Sequence, residues 1–163
     1  AGYGALTFLA GWSVTWRPLD PLGLWAAAAF GFLFAALYPL TQIYQMEEDK
    51  RHGVRTFAMF LGRQASLWLA LGTTLAGFAC LIMVWMEPLE RAAGLGAVRW
   101  TASTDLPAGG LVLLLVPLAL WLRALLPYLL APARPCGQSA MYAALTAWAA
   151  TDLLVAFRGL FFY

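Results

Sequence analysis

Long apolar runs separated by short polar stretches make up this chain. Four runs are long enough to cross a bilayer, which takes roughly 20 helical residues. They cover residues 21–44, 65–86, 107–130 and 138–157. A fifth apolar stretch, 2–15, is only about fourteen residues long, too short to span, so we expect it to be the end of a helix rather than a whole one.

The apolar runs are continuous rather than alternating, which favours transmembrane helices over a β-barrel. Prolines lie near the ends of the runs, and Pro39, Pro117 and Pro127 fall inside them. We predict an all-α, polytopic transmembrane bundle forming a single domain over 1–163. Because the first residue is Ala and the first run is short, we also expect the first four helices of the protein to lie upstream of this chain.

Composition supports the membrane class. The chain has 163 residues, is 63% hydrophobic and 11% charged, and has a mean hydropathy of +0.74. A soluble domain would be about half apolar and a quarter charged. The net charge of +2 is too small to indicate a nucleic-acid partner, so the surrounding lipids are the first expected partner.

Basic residues in the short connections predict the orientation, since they are enriched on the cytoplasmic side. One side receives Lys50, Arg51, Arg55, Arg63 and Arg134, and the other Arg17, Arg91, Arg99 and Arg158. This bias predicts an integral protein of a bacterial cytoplasmic membrane, with 47–62 in the cytoplasm. The stretch 87–105 is then an interfacial excursion on the opposite side.

The most polar segment, 42–56, lies between two apolar runs. It contains Glu47, Glu48 and Asp49, followed by four basic or potentially basic residues within seven positions. Carboxylate oxygens can hold a hard divalent cation, which can in turn hold phosphate, and neighbouring cations can bind the remaining phosphate oxygens. The segment is a candidate diphosphate site in a charged loop. The simpler interpretation is a solvated cytoplasmic loop.

This segment resembles the second acidic motif of the UbiA-type intramembrane prenyltransferases, in which Asp-x-x-x-Asp is followed by basic residues, Gly-x-x-Thr and a Leu-Gly or Phe-Gly pair. The resemblance is strong across 38–62 and loose elsewhere, where Tyr3-Gly4, Gly11-Trp12 and the later spans also fit. The residues that match in order are Glu47, Glu48, Asp49, Gly53, Thr56, Leu61 and Gly62.

The resemblance implies the carboxy-terminal half of a bundle of about nine helices, in which two acidic motifs bind Mg²⁺. The Mg²⁺ would hold an isoprenyl diphosphate, whose prenyl group is transferred to an aromatic or other lipid-soluble acceptor. Carried over residue by residue, the metal ligands would be Glu48, Asp49 and Gln45. The diphosphate would be bound by Lys50, Arg51 and Arg55.

Two departures from the family pattern bear on activity. Gln45 stands where the first Asp of the motif is expected, so it offers an amide oxygen without negative charge; Glu47 or Glu48 could compensate. The first acidic motif occurs nowhere in this chain. Half the ligands cannot assemble a two-metal site, so we expect this chain alone to be inactive.

Three further polar residues have two interpretations each. Asp152 lies in the last run, where an acid is a candidate intramembrane site or a carboxyl paired with a neighbouring helix. Arg123 is near the cytoplasmic end of its run and can extend to the headgroups or contact substrate. His52 is the only histidine, which excludes a site built from several histidines and favours a solvated residue.

The sequence leaves a second functional hypothesis open. A UbiA-like scaffold without an active first motif could be a non-catalytic subunit of a larger membrane assembly, binding lipid, quinone or pigment. The upstream sequence separates the two hypotheses, because an intact first acidic motif supports the enzyme.

Overall fold

Helices account for the architecture of the described residues, and these contain no strand. The computed structural model describes residues 2–86 and 106–161, without the side chains of 106–111 and 158–161. The stretch 87–105, predicted to be an interfacial excursion, lies outside them. The helices are α1 (Gly2–Ser13), α2 (Pro21–Arg51), α3 (Phe57–Leu61), α4 (Arg63–Met86), α5 (Leu106–Leu130) and α6 (Gln138–Phe161).

The predicted membrane class and its four long helices are confirmed. Helices α2, α4, α5 and α6 are each long and apolar enough to cross a membrane. The short first run forms the twelve-residue helix α1. Helices α2 and α5 continue through their internal prolines at positions 39, 117 and 127.

Local chemistry explains where α2 begins. Asp20 is its N-cap, with extended backbone, and the Asp20 carboxylate accepts a hydrogen bond of 2.8 Å from the Gly23 amide. Pro21 follows at the first helical position, where the missing N–H costs nothing and the fixed φ suits a helix. A capped start of this kind contributes about 1 kcal/mol.

The other end of α2 corrects the sequence analysis. The prediction that the polar segment is a loop after residue 44 is wrong, because α2 continues to Arg51. Hydropathy marks the end of the apolar run, whereas Gln, Met, Glu, Lys and Arg all have high helix propensity and extend the helix into the aqueous phase. Only 52–56 connect α2 to α3.

The four long helices form a closed ring. Helix α2 packs against α4 and α6, and α5 packs against the same two helices. Helix α1 lies on the outside of α2, and α3 contacts both α2 and α4 at the end of the bundle that carries the acidic segment. The core between the helices is built from Ala29, Leu33, Ala36, Leu40, Leu67, Ala70, Phe78, Leu81, Trp121, Leu125, Ala144 and Ala147.

Small residues let α2 and α4 approach closely, as in other membrane helix pairs. Gly77 of α4 is buried against Leu33 of α2, and a Cβ at Gly77 would lie 2.8 Å from the Leu33 Cγ and 3.3 Å from the Ala29 carbonyl oxygen. Leu33 is itself 2% exposed, so it has little room to move. The contact therefore depends on glycine.

We expect Gly77→Ala to destabilise the bundle by about 1–3 kcal/mol, the usual cost of overpacking. Gly72→Ala is the matched control on the same helix, since nothing lies within 4 Å of its added Cβ, and alanine favours a helix over glycine by up to about 1 kcal/mol. Thermal unfolding in one detergent measures both. Equal melting temperatures for the two variants would contradict the close α2–α4 contact.

Candidate functional site

The acidic segment ends in a defined turn rather than in an irregular loop. Gly53 has a φ of +68°. Its amide donates to the Lys50 carbonyl at 3.2 Å, and the next amide, of Val54, donates to the Asp49 carbonyl at 2.9 Å. These two bonds make a Schellman motif, which requires a left-handed residue after the C-cap. The motif glycine therefore has a structural role, which is to end α2.

The Gly-x-x-Thr element continues into the short helix α3. Thr56 is the N-cap of α3 by its extended backbone, although its own side chain makes no capping bond. The side chain of Gln42, from α2, supplies a bond instead, as the Gln42 Oε1 accepts from the Ala58 amide at 3.0 Å. Gly62, with a φ of +79°, ends the helix.

Gln42 is thus a positioning residue that the sequence analysis did not assign. Its hydrogen bond joins α3 to α2 across sixteen residues of chain. The bond therefore holds the intervening connection, which includes Arg55, close to the end of α2. A polar residue just inside the end of an apolar run is the signal that could have indicated it.

Helical geometry divides the acidic segment into two faces. Residues three and four apart lie on the same side of an α-helix, so Gln45, Glu48 and Asp49 share one face. Glu47 and Lys50 lie on the opposite face and form an ion pair of 3.2 Å. All three candidate metal ligands are therefore brought together, whereas Lys50 is directed away from them.

The remaining cations differ in their distance from the candidate ligands. Arg51 lies 3.8 Å from the Glu48 carboxylate, and His52 Nδ1 lies 3.5 Å from it. Arg55 lies in the exposed connection to α3. Asp49 has no ion pair within residues 2–86 and 106–161, which makes its carboxylate the uncommitted one of the three acids.

Oxygen donors of these types suit Mg²⁺, but they are few. Two carboxylates and one amide oxygen can fill at most about half of an octahedral coordination shell. In the part of the chain that the structure describes, no group of three or more His, Cys, Asp or Glu side chains is placed to hold a metal. The residues fit a partial site, completed by phosphate oxygens, water or ligands from outside.

An aromatic cluster lies on α2 towards the opposite end of the bundle. Phe30 stacks on Phe8 of α1 with ring centroids 5.3 Å apart, and Phe34 stacks on Tyr3 of the same helix at 6.0 Å. From the other side, Trp148 of α6 meets both Phe30 and Phe34 edge-on, at 6.2 and 5.9 Å.

The two intramembrane charged residues have different surroundings. Asp152 lies one turn after Trp148 on α6 and is half-buried, and its Oδ1 is buried without a hydrogen-bond partner. Arg123 is exposed on α5, seven residues before the end of that helix. Its exposure agrees with a side chain that extends to the headgroups, and the two residues form no ion pair with each other.

Arg63 is a second positioning residue missed by the sequence analysis. From the start of α4, its guanidinium donates to the carbonyls of Pro132 and Arg134, in the connection between α5 and α6. Arg134 lies over the Tyr128 ring, 5.3 Å from its centroid. In the same connection, burial raises the pKa of the Cys136 thiol, and the charge of Arg63 lowers it by a smaller amount.

These contacts hold the connection 131–137 beside the start of α4, at the same end of the bundle as 52–56, which permits a labelling test of orientation. We expect a membrane-impermeant maleimide to reach Cys136 and a Val54→Cys variant from the cytoplasmic side, and an Ala102→Cys variant from the other. Cys136 should react more slowly than the exposed position 54, because its raised pKa leaves less of the reactive thiolate. Labelling of positions 54 and 102 from the same side would contradict the topology.

The chain was compared with family models, curated proteins and solved structures, and none of the three comparisons finds a match.

Proposed function

We propose that this chain is the carboxy-terminal half of a UbiA-like prenyltransferase, which transfers an isoprenyl group from a diphosphate to an acceptor in the membrane. One observation carries the proposal: a single face of α2 presents oxygen donors at its aqueous end and aromatic rings within the membrane. An isoprenyl diphosphate has the same two-part chemistry, with a charged head that binds metal and a long apolar chain.

The register along α2 supports this placement. Glu48 follows Phe30 by eighteen positions, which is about five full turns at 3.6 residues per turn, or roughly 27 Å. Gln45 follows Phe34 by eleven positions, about three turns. The donors and the rings therefore lie along one stripe of the helix, so that a chain bound by its head at Gln45, Glu48 and Asp49 can extend towards Phe34 and Phe30.

The unfavourable position of the acids is a second support. A helix carries partial negative charge at its carboxyl end, and acids in the last turns cost stability there. Glu47, Glu48 and Asp49 all occupy such positions in α2. Glu47 and Glu48 offset this cost through ion pairs, whereas Asp49 does not. The helix dipole disfavours the Asp49 carboxylate at this position, and binding of a ligand by that carboxylate best explains its presence.

In this proposal Glu48, Asp49 and the amide oxygen of Gln45 would hold Mg²⁺, which would supply positive charge to offset the charge of a leaving diphosphate. Arg51 and Arg55 bind phosphate oxygens from the end of α2 and the following connection. Lys50 contributes only if it leaves its ion pair with Glu47.

The scaffold alternative has its own supporting observation. Glu47 and Glu48 are both paired with cations of the same helix, so the charged end of α2 is partly self-neutralised without a ligand. In that case the rings of Phe30, Phe34 and Trp148 would stack on a quinone, pigment or lipid instead of lining a prenyl-chain path.

Binding of a fluorescent isoprenyl diphosphate separates the two hypotheses. With the complete assembled protein in nanodiscs, we expect binding that needs Mg²⁺, is lost with a chelator, and is at least about tenfold tighter than binding of the corresponding prenyl alcohol, because the diphosphate is held through metal and charge. Equal binding of alcohol and diphosphate, with no metal dependence, would support the scaffold instead.

A further inference from the structure

A membrane-facing surface on α6, distant from the acidic segment, has features of a protein interface. Only 22% of the membrane-spanning stretch of α6 is buried within the protein, against 44% for α2 and for α4 and 39% for α5. The described part of α6 is therefore the least covered of the four long helices. Its exposed side chains include Tyr142, Leu145, Leu153 and Phe157.

Next to this surface, α6 packs on the aromatic cluster of α2. Helices α1 and α6 both pack on α2, but their described residues do not pack on each other. Between them lie Phe30 and Phe34, with the rings of α1 on one side and Trp148 on the other.

Asp152, which is half-buried, places a carboxyl at the edge of the membrane-facing surface of α6. It lies fourteen residues after the start of α6, or about 21 Å along the helix, well inside the span. Its inner oxygen, Oδ1, has no hydrogen-bond partner, and no basic side chain of the described residues pairs with it. The Trp148 indole N–H donates a hydrogen bond to the Asp152 carboxyl, but the indole carries no charge.

An acid inside a membrane is costly, and such acids normally pair with another charged or polar group. The partner that the described residues give Asp152 is the uncharged Trp148 indole. We propose that the membrane-facing surface of α6 binds a transmembrane helix of a partner chain, whose lysine or arginine pairs with Asp152. A second copy of this chain fits less well, since a symmetric contact through α6 would place two Asp152 carboxyls together. The proposal does not depend on the prenyltransferase assignment, because neither Asp152 nor the exposed side chains of α6 belong to the acidic segment or to the rings of Phe30 and Phe34.

Cross-linking to a defined peptide tests the proposal in lipid vesicles. The probe is a synthetic oligo-leucine transmembrane helix with a cysteine and one central lysine, and its control has leucine in place of that lysine. The protein carries a single cysteine, either Leu153→Cys on α6 or Val116→Cys on α5, in a background of Cys80→Ser and Cys136→Ser. Leu153 and Val116 are similarly exposed, at 71% and 60%.

We expect the lysine peptide to cross-link to position 153 roughly three- to tenfold more than the leucine peptide does, in line with a single interhelical polar pair in a membrane. Position 116 should not discriminate between the peptides. Asp152→Leu should remove the preference at position 153, and Asp152→Lys should transfer it to a peptide with a central aspartate.

Three results would overturn the proposal. The first is equal cross-linking of both peptides to position 153. The second is a lysine preference that survives Asp152→Leu. The third is cross-linking of position 153 to itself in a second copy in preference to the lysine peptide, which would make this face a homodimer contact.

Discussion

Replacing Asp49 by asparagine should lower the proposed prenyl transfer at least about a hundredfold while leaving the fold intact. The large effect is expected because groups that stabilise charge at a transferring phosphate typically contribute a hundredfold or more. The small structural effect is expected because Asp49 has no ion pair among the described residues. Removing its charge from the negative end of α2 should even stabilise the helix, by about 0.3–1 kcal/mol.

The matched control is Glu47→Gln, which removes a carboxylate from the same helical turn but on the opposite face, where it pairs with Lys50. We expect this variant to keep activity within about threefold, because an exposed pair contributes at most about 1 kcal/mol. Turnover, Mg²⁺ titration and melting temperature should be measured for both variants. If Asp49→Asn retained activity, or if both variants lost it equally, the metal assignment would fail.

A second substitution tests the same face by adding a carboxylate instead of removing one. Gln45→Asp restores the acidic residue that the resemblance leads us to expect, one turn before Asp49. We expect it to keep or raise Mg²⁺ affinity, because a carboxylate replaces a neutral amide as oxygen ligand. A loss of Mg²⁺ affinity in this variant would show that Gln45 does not face the metal.

Replacing Gly4 by alanine should displace α1 from α2. A Cβ at this position would lie 2.3 Å from the Phe30 carbonyl oxygen and 2.7 Å from the Phe34 Cβ, and both are backbone or backbone-proximal atoms that cannot rotate away. We expect overpacking to lower the free energy of unfolding by about 1–3 kcal/mol. Displacement of α1 should also remove the stacking of its rings on Phe30 and Phe34. Each aromatic pair contributes about 0.5–1.5 kcal/mol to stability.

Gly2 and Gly11 lie on the same helix with no atom within 4 Å of an added Cβ, so Gly2→Ala and Gly11→Ala are the controls. Hydrogen exchange of the α1 amides, together with thermal unfolding, should separate Gly4→Ala from both. Unchanged protection of α1 in Gly4→Ala would mean that α1 does not pack on α2 through this glycine.

The candidate site was only partly predictable. The residue types and spacing of Gln45, Glu48 and Asp49 were visible in the chain, and so was the glycine at 53 that ends the helix. Their division into faces was not recognised, because the segment was interpreted as a loop. A helix through residue 51 could have been inferred from the propensities of 45–51 followed by Lys-Arg-His-Gly, which is a typical helix end.

Hydropathy alone determined the class of this protein and the number of long helices among its described residues, since desolvation of the backbone in lipid leaves a continuous apolar run few alternatives to a helix. Only the tertiary structure decided which faces meet. Three contacts link residues that are distant in the chain. Gln42 caps α3, Arg63 hydrogen-bonds to the connection after α5, and the aromatic cluster joins α1, α2 and α6. Such contacts depend on packing between helices, which in a membrane is governed by the fit of particular side chains rather than by hydrophobicity.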